Sequence, residues 1–323
     1  MAEHFEYNHI PAQMSSVHHF RVVSVVCFRE RLVVLHLSRS SMDQLGLLDL
    51  GVNKFLGVFA KLPNAGNMQV DSIYGAISPD KSRCLVRLPS DARAQPRRDM
   101  LHLYDLKSQR LLLEVDLHLL RSTHVAFDPR FSWQRAAVTN YEPSATNGNS
   151  LSVIDLTATP RPQSLATNTR LSDTRHALYP YMRDLQYTRD GSLIVATLVD
   201  SDCLCREKRT RNYRPIGCTV YILNGDSAAT IRSIEYARFT CIAHMCPVNY
   251  TPVFSECGSR MAVVMNDRQE VNTHFVQVYK LPHVVNLQGM CRTVIRQHFP
   301  TDRLVDLPLP VRLINYLYFK PEC

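Results

Sequence analysis

The chain has 323 residues, 45% hydrophobic and 20% charged, an ordinary globular balance with ample length to bury a core. No apolar run is long enough to cross a bilayer, and the N-terminal MAEHFEYNHIPAQMSS lacks the basic-then-apolar layout of a signal peptide, so an intracellular protein of the cytoplasm or nucleus is expected, with no membrane partner. Ten cysteines without such a signal read as reduced thiols, and a net charge of +8 favours acidic partners only mildly.

Residues 1–17 are polar and irregular, a flexible lead-in by composition. Residues 18–282 read as β-structure. The runs Phe20–Phe28 and Leu32–Leu37, split by Arg29-Glu30-Arg31, predict a hairpin whose loop lacks the usual glycine. Leu45–Leu50 and Phe55–Ala60 predict a second strand pair. A weak internal repeat follows, in which Ala76–Val86, Ala126–Phe131, Leu185–Val195 and Val253–Val263 each contain an Asp-, Pro- or Gly-bearing turn beside apolar runs. A second repeated element succeeds each one: Leu101–Leu106, Leu151–Leu156, Thr219–Leu223 and Phe275–Leu281, all with the alternation of a half-buried strand. After the first and third of these comes a polar turn and another apolar run.

A unit of about four strands repeated along a chain is the habit of a β-propeller blade. These units resemble degenerate WD repeats, with the turn and the "V…YDL" strand in outline. The Trp-Asp and Gly-His pairs are missing, and Trp133 falls in a turn. The expected fold is therefore mostly β, a propeller-like domain over 18–282, against the alternative of a β-sandwich or two β domains.

Residues 283–323 change character. Leu287, Cys291 and Ile295 recur at a four-residue step with Met290 and Val294 beside them, one apolar stripe on a short helix that Asn286 is suited to cap. Phe299-Pro300 stops it. Leu307-Pro308-Leu309-Pro310 then makes a stiff extended bridge, because each proline restricts itself and the residue before it. Leu313, Ile314, Tyr316 and Leu317 predict a further helical turn or two.

The two patterns, in this order, resemble the SOCS box. The resemblance implies that Leu287, Met290, Cys291, Val294 and Ile295 dock on elongin C, which travels with elongin B. It also implies that Leu307, Pro308, Leu309 and Pro310 contact cullin-5 with its RING partner. The implied function is that of a non-catalytic substrate receptor of a ubiquitin ligase, whose propeller-like domain holds an unknown protein substrate through its inter-strand loops. The alternatives are a non-ligase interaction scaffold, or a nucleic-acid-binding propeller using the basic run Arg206–Arg214. That run reads more readily as a solvated loop.

Other constellations offer less. Cys203-x-Cys205 with Cys218, and Cys241-x-x-His244-x-Cys246, have spacings that do not match structural zinc hooks. No nucleophile elbow, phosphate loop or HExxH occurs, so no cofactor is expected. Asp105, Asp155 and Asp190 suit local hydrogen bonding in turns.

Overall fold

The computed structural model describes residues 20–39, 42–62, 73–88, 100–116, 122–141, 149–158, 162–169, 171, 180–200, 215–240, 252–255, 259–266, 274–281, 291, 295, 299 and 301–317. The strands form successive antiparallel meanders, each pairing in sequence order. The first sheet holds β1 (Arg21–Arg29), β2 (Leu32–Arg39), β3 (Met42–Asp49) and β4 (Lys54–Lys61). The second holds β5 (Tyr74–Ile77), β6 (Arg83–Leu88), β7 (Met100–Asp105) and β8 (Arg110–Asp116). The third holds β9 (Ser122–Phe127), β10 (Arg135–Tyr141), β11 (Asn149–Asp155) and β12 (Gln163–Asn168). The fourth holds β13 (Pro180–Tyr187), β14 (Leu193–Asp200), β15 (Pro215–Asn224) and β16 (Thr230–Thr240). The fifth has β17 (Val253–Phe254), β18 (Arg260–Asn266) and β19 (His274–Lys280) among the described residues. Repeated four-stranded meanders are propeller blades, so the fold is mostly β and propeller-like.

The chain divides into two compact units. The first takes residues 1–77 and 81–118, with the first two sheets; the second takes residues 78–80 and 119–323, with the other three. In the first unit, Val34, Leu45, Leu47 and Phe59 pack with Cys84, Val86 and Tyr104. The Phe59 and Tyr104 rings meet edge-on at 5.1 Å. In the second unit, Ala137, Leu151 and Val153 pack with Ile194, Leu198 and Leu223. Central strands such as β2 and β6 are apolar along most of their length because both their faces are covered. Cys27 and Cys84 are free thiols with sulfurs 3.9 Å apart. A hydrogen bond with Cys27, with burial, pushes the Cys84 thiol well up, so it stays protonated.

All the repeated elements anticipated from sequence are present as strands. Strands β10 and β12 are not covered by the runs named from sequence. The β12 segment QSLATN is polar and mostly exposed, as an outermost strand can be, and so carries little apolar periodicity.

Within each four-stranded sheet the hairpin turns depend on one residue in the left-handed region: Glu30, Asn53, Lys81, Gln109, Ser132, Gly191 or Ala228. An Asp or Asn side chain fastens most of these turns by accepting a backbone N–H two or three residues on. Asp49 takes it from Gly51 (2.8 Å), Asp105 from Ser108 (2.6 Å), Asp190 from Ser192 (3.2 Å) and Asn224 from Asp226 (2.9 Å). Asp155 does the same for Thr157 at 2.7 Å, so the three aspartates singled out from sequence hold turns as expected.

The turns of the second unit are tied by charge. Arg130 reaches both oxygens of the fully buried Asp128 (2.9 and 2.7 Å) and both oxygens of Asp226 (3.0 and 2.8 Å). Arg135 adds a 3.0 Å contact to Asp226, and the Phe131 ring lies 5.4 and 5.0 Å from the two guanidinium carbons. Burial works to raise the Asp226 carboxyl, but hydrogen bonds and charge from Arg130 and Arg135 outweigh it and hold it below its ordinary range.

Two outcomes follow from this packing. At Gly191, φ is +73° and an added Cβ would stand 2.6 Å from Arg130 Nε and 2.7 Å from Asp128 Oδ1. Gly191→Ala is therefore expected to cost at least about 2 kcal/mol, the left-handed penalty plus displacement of a pinned arginine, read from chemical denaturation. Because the folded-state pKa of Asp226 is depressed, its contribution is complete above the unfolded carboxylate range, about pH 4, and is lost as pH falls through the folded pKa. Asp226→Asn should thus be less stable than wild type at pH 7, with the gap closing as the pH is lowered below about 4. A gap independent of pH would show that the carboxylate charge is not what holds the turn.

Candidate functional site

Among the described residues no group of histidine, cysteine, aspartate and glutamate could hold a metal ion. No helix of these residues is long and apolar enough to cross a membrane. The Asp128–Arg130–Asp226 cluster ties its own turns together. The segments holding Cys203, Cys205, Cys241, His244, Cys246 and the basic run 206–214 lie outside the described residues, as does the Cys218 side chain.

What remains is the C-terminal segment. Cys291 and Ile295 are both helical, one turn apart, and therefore share a helix face; Cys291 is exposed and Ile295 half-buried. The Phe299 amide donates to the Ile295 carbonyl at 2.9 Å, a helix-type bond at the residue where the sequence anticipated the stop. Leu287, Met290 and Val294 lie outside the described residues.

A 3₁₀ helix, Thr301–Asp306, comes next. Nothing in the sequence pattern announced it, because its TDRLVD offers a single core residue, the fully buried Leu304. Its Arg303–Asp306 pair at 3.4 Å is exposed on both sides and contributes little. The Leu307 amide closes this turn on the Leu304 carbonyl.

The Leu307-Pro308-Leu309-Pro310 element is fully described. Its leucines are half-buried and its prolines exposed, the alternation of a strap lying along a surface. It is tighter than the extended bridge expected: the Leu309 amide donates to the Leu307 carbonyl at 2.7 Å, a three-residue turn centred on Pro308. Proline's fixed φ suits the centre of such a turn. The Pro310 carbonyl then accepts from both Leu313 (2.8 Å) and Ile314 (3.1 Å), which starts helix α1, Val311–Leu317. Leu317 is buried at its end, while Val311 and Leu313 stay exposed.

The segment therefore exposes apolar side chains beyond those its sequence motifs nominate: Phe299, Val305, Val311 and Leu313. Val305 had no signal, since Leu304-Val305 is a lone apolar pair between Arg303 and Asp306. Phe299 reads as a helix stop and Leu313 as the inward face of a helix.

Residues 284–318 match the family model of the SOCS box. The chain thus carries a SOCS box below its propeller-like sheets. A SOCS box implies an adaptor of an elongin B/C–cullin ubiquitin ligase. The sequence matches no curated protein significantly. Among solved structures, the chain is similar to the hydrazine synthase of Kuenenia stuttgartiensis (13% identity, TM-score 0.43, 73% of this chain and 61% of that one). It is also similar to TolB of Acinetobacter baumannii (11%, TM-score 0.44, 77% and 49%). A third is the β-propeller domain of the trilobed protease of Pyrococcus furiosus, described as having an open velcro topology (11%, TM-score 0.45, 83% and 72%). The chain thus spans less than two thirds of the first two. Likenesses this low add nothing to what the strand order already shows.

Proposed function

We propose that this protein is the substrate receptor of an elongin B/C–cullin-5 RING ubiquitin ligase. Residues 283–323 serve as the docking box, residues 18–282 as the substrate-binding domain and residues 1–17 as a lead-in. The observation that carries the reading is the SOCS-box match spanning both C-terminal patterns, with Cys291 exposed on the helical turn it shares with Ile295. Leu287, Met290, Cys291, Val294 and Ile295 fill the elongin C pocket. Leu307, Pro308, Leu309 and Pro310 meet cullin-5; the turn at Pro308 supports this by holding the strap in one shape before binding, which lowers the ordering cost.

The chain does no bond chemistry in this scheme. It holds a substrate lysine near a ubiquitin thioester carried by the RING partner's conjugating enzyme, and proximity supplies the rate. The cytoplasm or nucleus, where elongins and cullins work, is the expected place of action.

Truncating an apolar anchor in a filled pocket often costs more than about 2 kcal/mol. Leu287→Ala with Cys291→Ala is accordingly expected to abolish co-purification with elongins B and C, scored by affinity purification and mass spectrometry. Retention of the elongins by that double variant would sink the docking assignment. Leu307→Ala with Pro308→Ala should lose cullin-5 and keep the elongins. Loss of both would mean that the box does not divide into two contact regions.

A further inference from the structure

The outer strands of the four-stranded sheets share a feature that the repeat pattern hides. In each, the register slips by one residue near the strand start, and the extra residue is an exposed aliphatic. Leu56 sits between the partners of Leu47 and Leu48, and Leu112 between those of Leu103 and Tyr104. Leu165 sits between the partners of Val153 and Ile154, and Ile231 between those of Ile222 and Leu223. Their exposures are 40, 49, 49 and 46%. A bulge on an outermost strand guards against edge-to-edge pairing, and that alone requires no ligand. An aliphatic side chain is not needed for that purpose.

Charge separates the first unit from the second. Around Leu56 and Leu112 stand Lys54, Lys107 and Arg110, all exposed, with Leu111 (45% exposed) beside them. The carboxylates across the ladders are already engaged, Asp49 with Arg31 at 3.4 Å and Asp105 with Arg83. No carboxylate among the described residues pairs with these three cations. Around Leu165 and Ile231 the outer strands instead carry Gln163, Ser164 and Thr230, with Arg232 next to Ile231. The pieces in the first unit form one surface. The Gln109 side chain in the β7–β8 turn donates to the Leu56 carbonyl at 3.2 Å, which brings that turn onto β4. Within the first sheet the strand order puts the β1–β2 and β3–β4 turns at one end, and the Gln109 bond joins the β7–β8 turn to it.

We infer that this end of the first unit, formed by Leu56, Leu111 and Leu112 framed by Lys54, Lys107 and Arg110, is a docking surface for an acidic protein segment with spaced aliphatic residues. Exposed aliphatics desolvate on contact, and uncompensated cations select the sign of the partner and speed its approach. A protein segment fits better than a lipid surface, because these side chains come from strands and turns rather than from a membrane-seeking amphipathic helix. The inference rests on the receptor reading to the extent that the segment is taken to belong to a substrate; the surface itself does not.

The test uses the full chain co-expressed with elongins B and C and measures fluorescence anisotropy of labelled peptides. One peptide alternates Leu and Glu, a second alternates Leu and Lys, and a third alternates Ser and Glu. The Leu-Glu peptide should bind more tightly than either of the others. Lys54→Glu/Lys107→Glu/Arg110→Glu should weaken it at least about tenfold, and Leu56→Asp/Leu112→Asp should do likewise. Lys54→Gln/Lys107→Gln/Arg110→Gln, milder for folding, should show the same trend. All three should melt as wild type does and keep the elongins. No binding of the Leu-Glu peptide, equal binding by wild type and the charge variants, or binding of phosphatidylserine vesicles in its place would overturn the inference. Failure of the receptor reading looks different: the elongins would be absent from wild type while peptide binding persisted.

Discussion

The tight hairpin turn, with one residue held in the left-handed region, is the constraint on which the sheets depend. A meander reverses direction in a few residues only if some backbone takes positive φ, and for any residue but glycine that costs about 1–2 kcal/mol. Here the cost falls mostly on Glu30, Lys81, Gln109, Ser132 and Ala228 rather than on glycine. Each is also a point of attachment. Glu30 and Lys81, both left-handed, form an ion pair between the turns of the first two sheets. Gln109 reaches the Leu56 carbonyl, Ser132 donates to Asp80, and the Ala228 carbonyl accepts from Asn168 at 2.8 Å. Side chains and carbonyls that fasten one turn to another keep the strained residue where it is. This explains why the repeats look degenerate: a lysine with an ionic partner can stand where the related turn carries Gly191.

The same logic accounts for the Asp128–Arg130–Asp226 cluster. A carboxylate with no exposure is tolerated because one guanidinium grips both its oxygens. That guanidinium also grips Asp226 in the β15–β16 turn, so one arginine ties two turns of the second unit. Buried charge pairs of this kind add little net stability over an apolar core, yet removing one partner is severe. In this chain they fix geometry, holding two turns of the second unit in register.

The two surfaces proposed for docking are of a different physical kind. The C-terminal box exposes apolar groups on short helices with a proline-set strap between them, and the outer strands of the first unit expose bulged aliphatics beside exposed cations. Neither needs a catalytic constellation. The proposed receptor role would require two separate adhesive surfaces rather than reacting groups.

Sequence alone determined the parts whose information is local. Strand positions followed from apolar alternation, the aspartate-held turns from Asp105, Asp155 and Asp190, and the box from the four-residue step through Cys291 and Ile295 together with Leu307-Pro308-Leu309-Pro310. Strand β12 escaped because an exposed strand buries too little to leave a periodic mark, and the 3₁₀ helix at Thr301–Asp306 because its one anchor, Leu304, makes no pattern by itself. Only the tertiary structure decided the rest. Which arginine meets which carboxylate depends on residues 91 to 96 positions apart. The outward turn of Leu56 and Leu112 depends on a one-residue slip against a neighbouring strand. Register is a relation between two segments, and no reading of either one contains it.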